Sequence, residues 1–262
     1  MAAEPTHRPR RRFGQHFLSD GHVAQRIVDA CSLKRSDRVL EIGPGHGALT
    51  GLLLQRVDRL IAIEVDRDLT AELRGRWPQL EVVQSDALRV DYGQLCAAGD
   101  WSVIGNLPYN ISTPLLMRLL TRGDLMRQMV FMLQQEVVDR MCAEHGSRTY
   151  GRLSVVIGYH YRAQPLFSVS GGSFTPQPRV KSRVVRLTPT GAPPPPARFS
   201  EVVRRAFSQR RKTLRNALLG VIEAPALEAL GIDPGRRPET LSVADFVTVS
   251  QALAQESGMQ VP

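Results

Sequence analysis

Asn106-Leu107-Pro108-Tyr109 is the stretch of this chain whose residue types, in that order, could do unusual chemistry. An exocyclic amine on a purine is a poor nucleophile, because its lone pair is delocalised into the ring. Two acceptors aimed at its N–H groups would localise that pair and turn it toward an electrophilic methyl group. The Asn106 side-chain oxygen can supply one acceptor and the Leu107 carbonyl the other, so the chemistry would be positioning and electrostatic complementarity without a strong base. Pro108 has no N–H to compete and fixes the turn. Tyr109 offers a face on which an unstacked base can rest. Methyl transfer from a sulfonium removes one cation and creates another at the amine, which suits carbonyl dipoles and a π face. The plainer reading of the four residues is a turn between strand and helix.

Three further features belong with the tetrapeptide. Glu41-Ile-Gly-Pro-Gly-His-Gly47 follows an apolar run and opens a helix, and its glycines allow a tight turn with backbone amides close to a ligand. Gly43, Gly45 and Ala48 also satisfy the nicotinamide-dinucleotide pattern G-x-G-x-x-A. Glu64 ends the next strand, about 20 residues on, where a carboxylate can accept from both hydroxyls of a ribose. Asp86 ends the third strand and reads equally as an acceptor for an adenine amine or as the N-cap of the following segment. Together they specify an adenosine-containing cofactor without saying which. All sit at the carboxyl ends of strands, the edge at which open α/β sheets bind ligands. Phe174, in Ser173-Phe-Thr-Pro-Gln-Pro178, could stack on the opposite face of a base, but its residues alone read better as a cover for the core.

The 262 residues carry a net charge of +9, so the surface should attract polyanions. Arg204, Arg205, Arg210, Arg211, Lys212 and Arg215 crowd one segment with almost no acids among them. A solvated helix face would mix signs, so these six are candidate RNA-phosphate contacts. Arg8–Arg12 forms a second basic stretch.

The elements that must position these residues alternate. Val39–Ile42, Ile61–Ile63, Val82–Val83, Val103–Ile104 and Val130–Leu133 read as strands, with helix-length segments Thr50–Arg56, Arg67–Arg76 and Pro114–Thr121 between them. Leu153–Tyr161 fits helix or strand. Leu166–Val169 and Val184–Leu187 should form a terminal antiparallel hairpin. The expected fold is α/β, a Rossmann-like, mostly parallel sheet with a small C-terminal α-helical domain. The expected divisions are a basic arm at 1–12, a catalytic domain at 13–190, a proline-rich linker at 191–198 and a helical RNA-binding domain at 199–262. Ser200–Leu219, Pro225–Leu230 and Val243–Ala254 are the expected helices of that last domain. Three scattered cysteines fit a reducing compartment, and no apolar run suits a signal peptide or a membrane span, so cytoplasm is expected. Nothing suggests a coiled coil or broad apolar face, so the expected state is a monomer.

The series FGQHFL, EIGPGHGALT, IEVDRDL, SDAL, GNLPYNISTPLL, FTPQPRVKSRVVRL and FSQRRKTLRNAL, running in order from Phe13 to about Phe246, resembles the small-subunit (16S) rRNA adenine N6-dimethyltransferase family. The resemblance implies a class I methyltransferase fold, S-adenosylmethionine as cofactor, and dimethylation of two adjacent adenosines near the 3′ end of 16S rRNA during biogenesis of the 30S subunit. It implies cofactor contacts at His16, Leu18, Gly43, Glu64, Asp86 and Asn106, with Gly45 in the same loop. It places base-stacking aromatics at Tyr109 and Phe174. Position 16 is often Asn in that family. Three other readings compete: the erythromycin-resistance type of 23S rRNA methyltransferase, a non-catalytic assembly factor and a nicotinamide dehydrogenase. The QRRKTLRNAL segment and helical tail argue against the first, the intact tetrapeptide and Glu64 against the second, and the lack of an obvious proton relay against the third.

Overall fold

The computed structural model describes residues 15–256, and the arm at Arg8–Arg12 lies outside them. In chain order the elements are β1 (Phe17–Leu18), α1 (Gly21–Ala30), β2 (Arg38–Ile42), α2 (Thr50–Leu54), β3 (Arg59–Glu64), α3 (Arg67–Arg76), β4 (Glu81–Gln84), α4 (Tyr92–Leu95), β5 (Trp101–Asn106), α5 (Ser112–Leu120) and β6 (Met126–Gln134). There follow α6 (Gln135–Met141), α7 (Arg152–His160), β7 (Tyr161–Val169), β8 (Phe174–Thr175), β9 (Ser182–Pro189), α8 (Phe199–Ser208), α9 (Leu214–Ala217), α10 (Ala224–Ala229) and α11 (Val243–Glu256).

Seven strands form one sheet in the order β4-β3-β2-β5-β6-β9-β7. The first five run parallel, and β9 pairs antiparallel with β6 through Val184↔Met132 and its neighbours. The inner strands are buried almost end to end, as near-continuous apolar runs must be when a sheet is covered on both faces. Helix α1 turns Val23, Ala24, Ile27 and Val28 into the core, and Asp20 caps it by accepting from the His22 and Val23 N–H groups. Strand β1 pairs antiparallel with β8, so residues about 157 positions apart lie side by side, Leu18 against Phe174.

The chain divides into two compact units. One comprises residues 1–138 and 164–189; the other comprises 139–163 and 190–262. The expected boundary near residue 190 therefore omits residues 139–163, which cluster with the C-terminal helices. In that second unit, Phe199, Val202, Val203 and Ala206 form the buried face of α8, a 3–4 spacing. Tyr159 of α7 meets Phe199 with ring centroids 5.0 Å apart, and Phe246 of α11 meets Phe207 at 5.7 Å.

Leu153–Tyr161, which fitted helix or strand, is helix up to His160, with Tyr161 opening β7. One expected helix is corrected. Ser200–Leu219 is not one helix: α8 ends at Ser208, and the chain turns before α9. Ser208–Thr213 has no apolar residue to bury, and three adjacent cations repel one another, so neither packing nor pairing sustains the helix there. Cys31, Cys96 and Cys142 are free thiols. Among the described residues no helix is long and apolar enough to cross a membrane, and no cluster of His, Cys, Asp or Glu is arranged to hold a metal ion.

Candidate active site

The carboxyl ends of β2, β3, β4 and β5 open onto one cavity in the first unit. Its walls include His16, Leu18, Gly43, Gly45, Glu64, Asp86 and the whole Asn106–Tyr109 tetrapeptide, so nearly all the sequence-derived cofactor and catalytic candidates meet there.

The glycine loop leaves β2 with Gly45 at φ 59°, a left-handed conformation open to glycine at little cost. A side chain there would also strike Phe17, 2.9 Å from where a Cβ would sit. Gly45 N–H donates to Glu64 Oε2 at 3.2 Å, and Asp66 N–H donates to Oε1 at 2.9 Å. Glu64 is 5% exposed. Burial pushes its carboxyl above the ordinary range, against the opposing pull of the Asp66, Gly45 and Val65 amides. Each oxygen keeps a lone pair for a further donor. Asp86 lines the cavity, and its Oδ1 accepts from Leu88 N–H at 2.9 Å, which caps a turn and not a helix.

Asn106 ends β5. Its Nδ2 donates to the His16 carbonyl at 2.9 Å, which fixes the amide and leaves Oδ1 as the group available to a ligand. Leu107 is held by its N–H on the Met132 carbonyl at 3.2 Å, and the Pro108 carbonyl accepts from Ile111 at 3.2 Å, closing the turn into α5. The Tyr109 hydroxyl shares a 2.6 Å hydrogen bond with Ser182 Oγ. Burial raises the Tyr109 phenol, and the Ser182 bond works the other way. His16 stacks on Tyr109 with centroids 5.6 Å apart and planes at 29°, and its Nδ1 lies 2.8 Å from the Pro176 carbonyl.

Phe174 is the exception. It is 4% exposed, belongs to the hydrophobic core with Val23, Ile27 and Val184, and is not among the cavity walls. The β1–β8 pairing turns its ring inward, so the aromatic beside Tyr109 is His16. Sequence reasoning assigned no function to Ser182, the Pro176 carbonyl or the Glu41–Thr50 pair. Only Glu41 left a signal, an acid inside an otherwise apolar strand.

In the second unit the six basic candidates divide. Arg204, Arg211, Lys212 and Arg215 are exposed. Arg205 donates to the Leu219 carbonyl at 3.2 Å, and Arg210 donates to the Arg148 carbonyl.

A parallel sheet that finishes on an antiparallel strand, and that gathers a glycine loop, two strand-end acids and an Asn-Leu-Pro-Tyr turn at one edge, defines a Rossmann-like methyltransferase. A dimethyladenosine transferase from Plasmodium falciparum has a similar structure, with a TM-score of 0.79 and 26% identity over 93% of this chain and 98% of that one. The 23S rRNA methyltransferase ErmE shares the fold, with a TM-score of 0.70 at 24% identity over 91% of this chain and 100% of that one. The chain belongs to the ribosomal RNA adenine dimethylase family, whose sequence model matches residues 6–255. It is 50% identical to the ribosomal RNA small subunit methyltransferase A of Methylococcus capsulatus, over 94% of this chain and 98% of that protein. With the protein of the same name from Bordetella pertussis it shares 49%, over 94% and 95%.

Proposed function

We propose that this chain transfers methyl groups from S-adenosylmethionine to the N6 amines of two adjacent adenosines near the 3′ end of 16S rRNA, giving N6,N6-dimethyladenosine. It acts as a cytoplasmic monomer on the 30S subunit or its precursor during subunit assembly. The observation that carries the reading is the Asn106 amide, anchored through Nδ2 on the His16 carbonyl so that Oδ1 remains to accept from an amine beside the Tyr109 ring. Kinship at 47–50% identity with small-subunit enzymes supports the choice of ribosomal subunit.

The cavity's donor set fits the cofactor, since strand-end carboxylates are acceptors for ribose hydroxyls and an adenine amine. Glu64 would hold the ribose hydroxyls and Asp86 the adenine amine. Gly43 and Gly45 would let the main chain approach, and His16 and Leu18 would close the opposite wall. When bound, the sulfonium supplies an electrophilic methyl group. Asn106 Oδ1 and the Leu107 carbonyl hold the two N–H bonds of the acceptor amine, localise its lone pair and orient it. Tyr109, fixed by Ser182 and covered on one side by His16, presents its remaining face to the target base. Phe174 contributes from beneath, as packing under β8. Arg204, Arg211, Lys212 and Arg215 would contact phosphates, with Arg205 and Arg210 shaping the turn that displays them.

Methylation of purified 30S and 50S particles in parallel tests the substrate. Incorporation confined to 30S is expected, and incorporation confined to 50S would overturn it in favour of the erythromycin-resistance type. Asn106→Ala should abolish transfer while subunit binding stays near wild type; full activity would remove the mechanism.

A further inference from the structure

We infer that Glu41 is a third acidic residue for the methyl donor, and that it meets the donor's positive charge by giving up a proton. The inference rests on the cavity holding a sulfonium donor and deepens that reading.

Glu41 lies inside β2, between Ala62 of β3 and Ile104 of β5, and is only 1% exposed, yet it lines the cavity. Its Oε2 accepts from the Thr50 hydroxyl at 2.7 Å, and Thr50 is itself fully buried at the start of α2. Glu64 accepts from backbone amides, whereas this hydroxyl is the only hydrogen bond to the Glu41 side chain among the described residues. A buried carboxyl so weakly solvated holds its proton. Burial pushes it up to about 8, Thr50 pulls it down, and the charge of Glu64 adds to the rise. The surrounding elements supply few other charges. Strand β3 brings Glu64, β5 brings the neutral Ile104 and Asn106, and α2 brings Thr50. The glycine loop adds His46, which faces Glu72, and His16 and Asp86 line the same cavity.

Three acids thus border a cavity suited to a cation, and Glu41 alone among them lacks a backbone amide to stabilise its anion. Buried and held by one hydroxyl, Glu41 keeps its proton in the free protein at neutral pH. An arriving donor, with its sulfonium and ammonium charges, favours the carboxylate, and the proton passes to solvent. One cation enters the cavity and one proton leaves it.

Calorimetric titration of the full chain with S-adenosylmethionine at pH 7, in buffers of different ionisation enthalpy, counts the protons exchanged. Wild type should release about one proton more than Glu41→Gln, whose amide imitates the protonated acid and preserves the fold. Between pH 8 and pH 6, wild-type affinity should fall about tenfold per unit relative to that variant. Thr50→Val keeps the carboxyl but deletes its hydrogen bond, and should move the midpoint of this dependence to higher pH. Equal proton counts in wild type and Glu41→Gln, with binding intact in both, would overturn the inference, as would an unmoved midpoint in Thr50→Val. Failure of wild type to bind S-adenosylmethionine at all would instead overturn the reading of the cavity.

Discussion

Tyr109 has its hydroxyl on Ser182 and one face against His16, so a single face remains for a base. Tyr109→Ala should therefore raise KM for the RNA substrate about 10- to 100-fold, the equivalent of losing one stacked base at ~1–3 kcal/mol. Tyr109→Phe keeps the ring and should cost a few-fold at most. Steady-state kinetics on 30S particles separates the two, and equal defects would show that the hydroxyl bond matters more than stacking. Glu64, Asp86 and Asn106 were legible at this scale because a polar residue closing an apolar run marks the ligand edge of a parallel sheet. His16 as the neighbour of Tyr109 was not legible. Its place depends on the pairing of Phe17 with Thr175, and no local pattern encodes contact across that distance. The inward turn of Phe174 follows from the same pairing. Its residues favoured a core position, and only the family resemblance suggested stacking.

The five parallel strands were readable as β-branched runs, but most came out short because period-2 and buried runs say little about where pairing stops. Strand β5, for example, extends from Trp101 to Asn106, where the sequence marks only Val103 and Ile104. Strands β1 and β8 escaped notice because two residues carry no periodicity. The break between α8 and α9 does not show in charge density; it follows from the lack of any apolar side chain to bury over Ser208–Thr213. Helix α1 shows how closely an element beside the site depends on its stripe. Ile27 is fully buried in the core that also receives Leu18 and Phe174. Ile27→Ala should destabilise the protein by about 2–5 kcal/mol, the usual range for opening a cavity at a buried aliphatic, seen as a lower urea midpoint. A change below ~1 kcal/mol would mean that the core closes around the gap.

For the molecule as a whole, the excess of +9 is shared between the two units, and the second displays part of it on one short stretch as Arg204, Arg211, Lys212 and Arg215. The double substitution Arg211→Glu/Lys212→Glu should weaken RNA binding and flatten its dependence on salt, with S-adenosylhomocysteine affinity unchanged. Filter binding across a salt series measures the first, and equal loss of both affinities would indicate a folding defect. Composition and the proline-rich stretch at 191–198 pointed to a second unit, but they could not show that it also takes an earlier piece of chain. Residues 139–163 leave the sheet unit after β6 and return in β7, so the polypeptide passes between the two units three times. The helical unit is accordingly no detachable tail. Clipping the chain at the prolines would strand α7, with Val155, Val156 and Ile157 stripped of their cover. Any exchange of this unit between relatives, in the laboratory or over evolutionary time, must carry an inner cassette along with the terminal one.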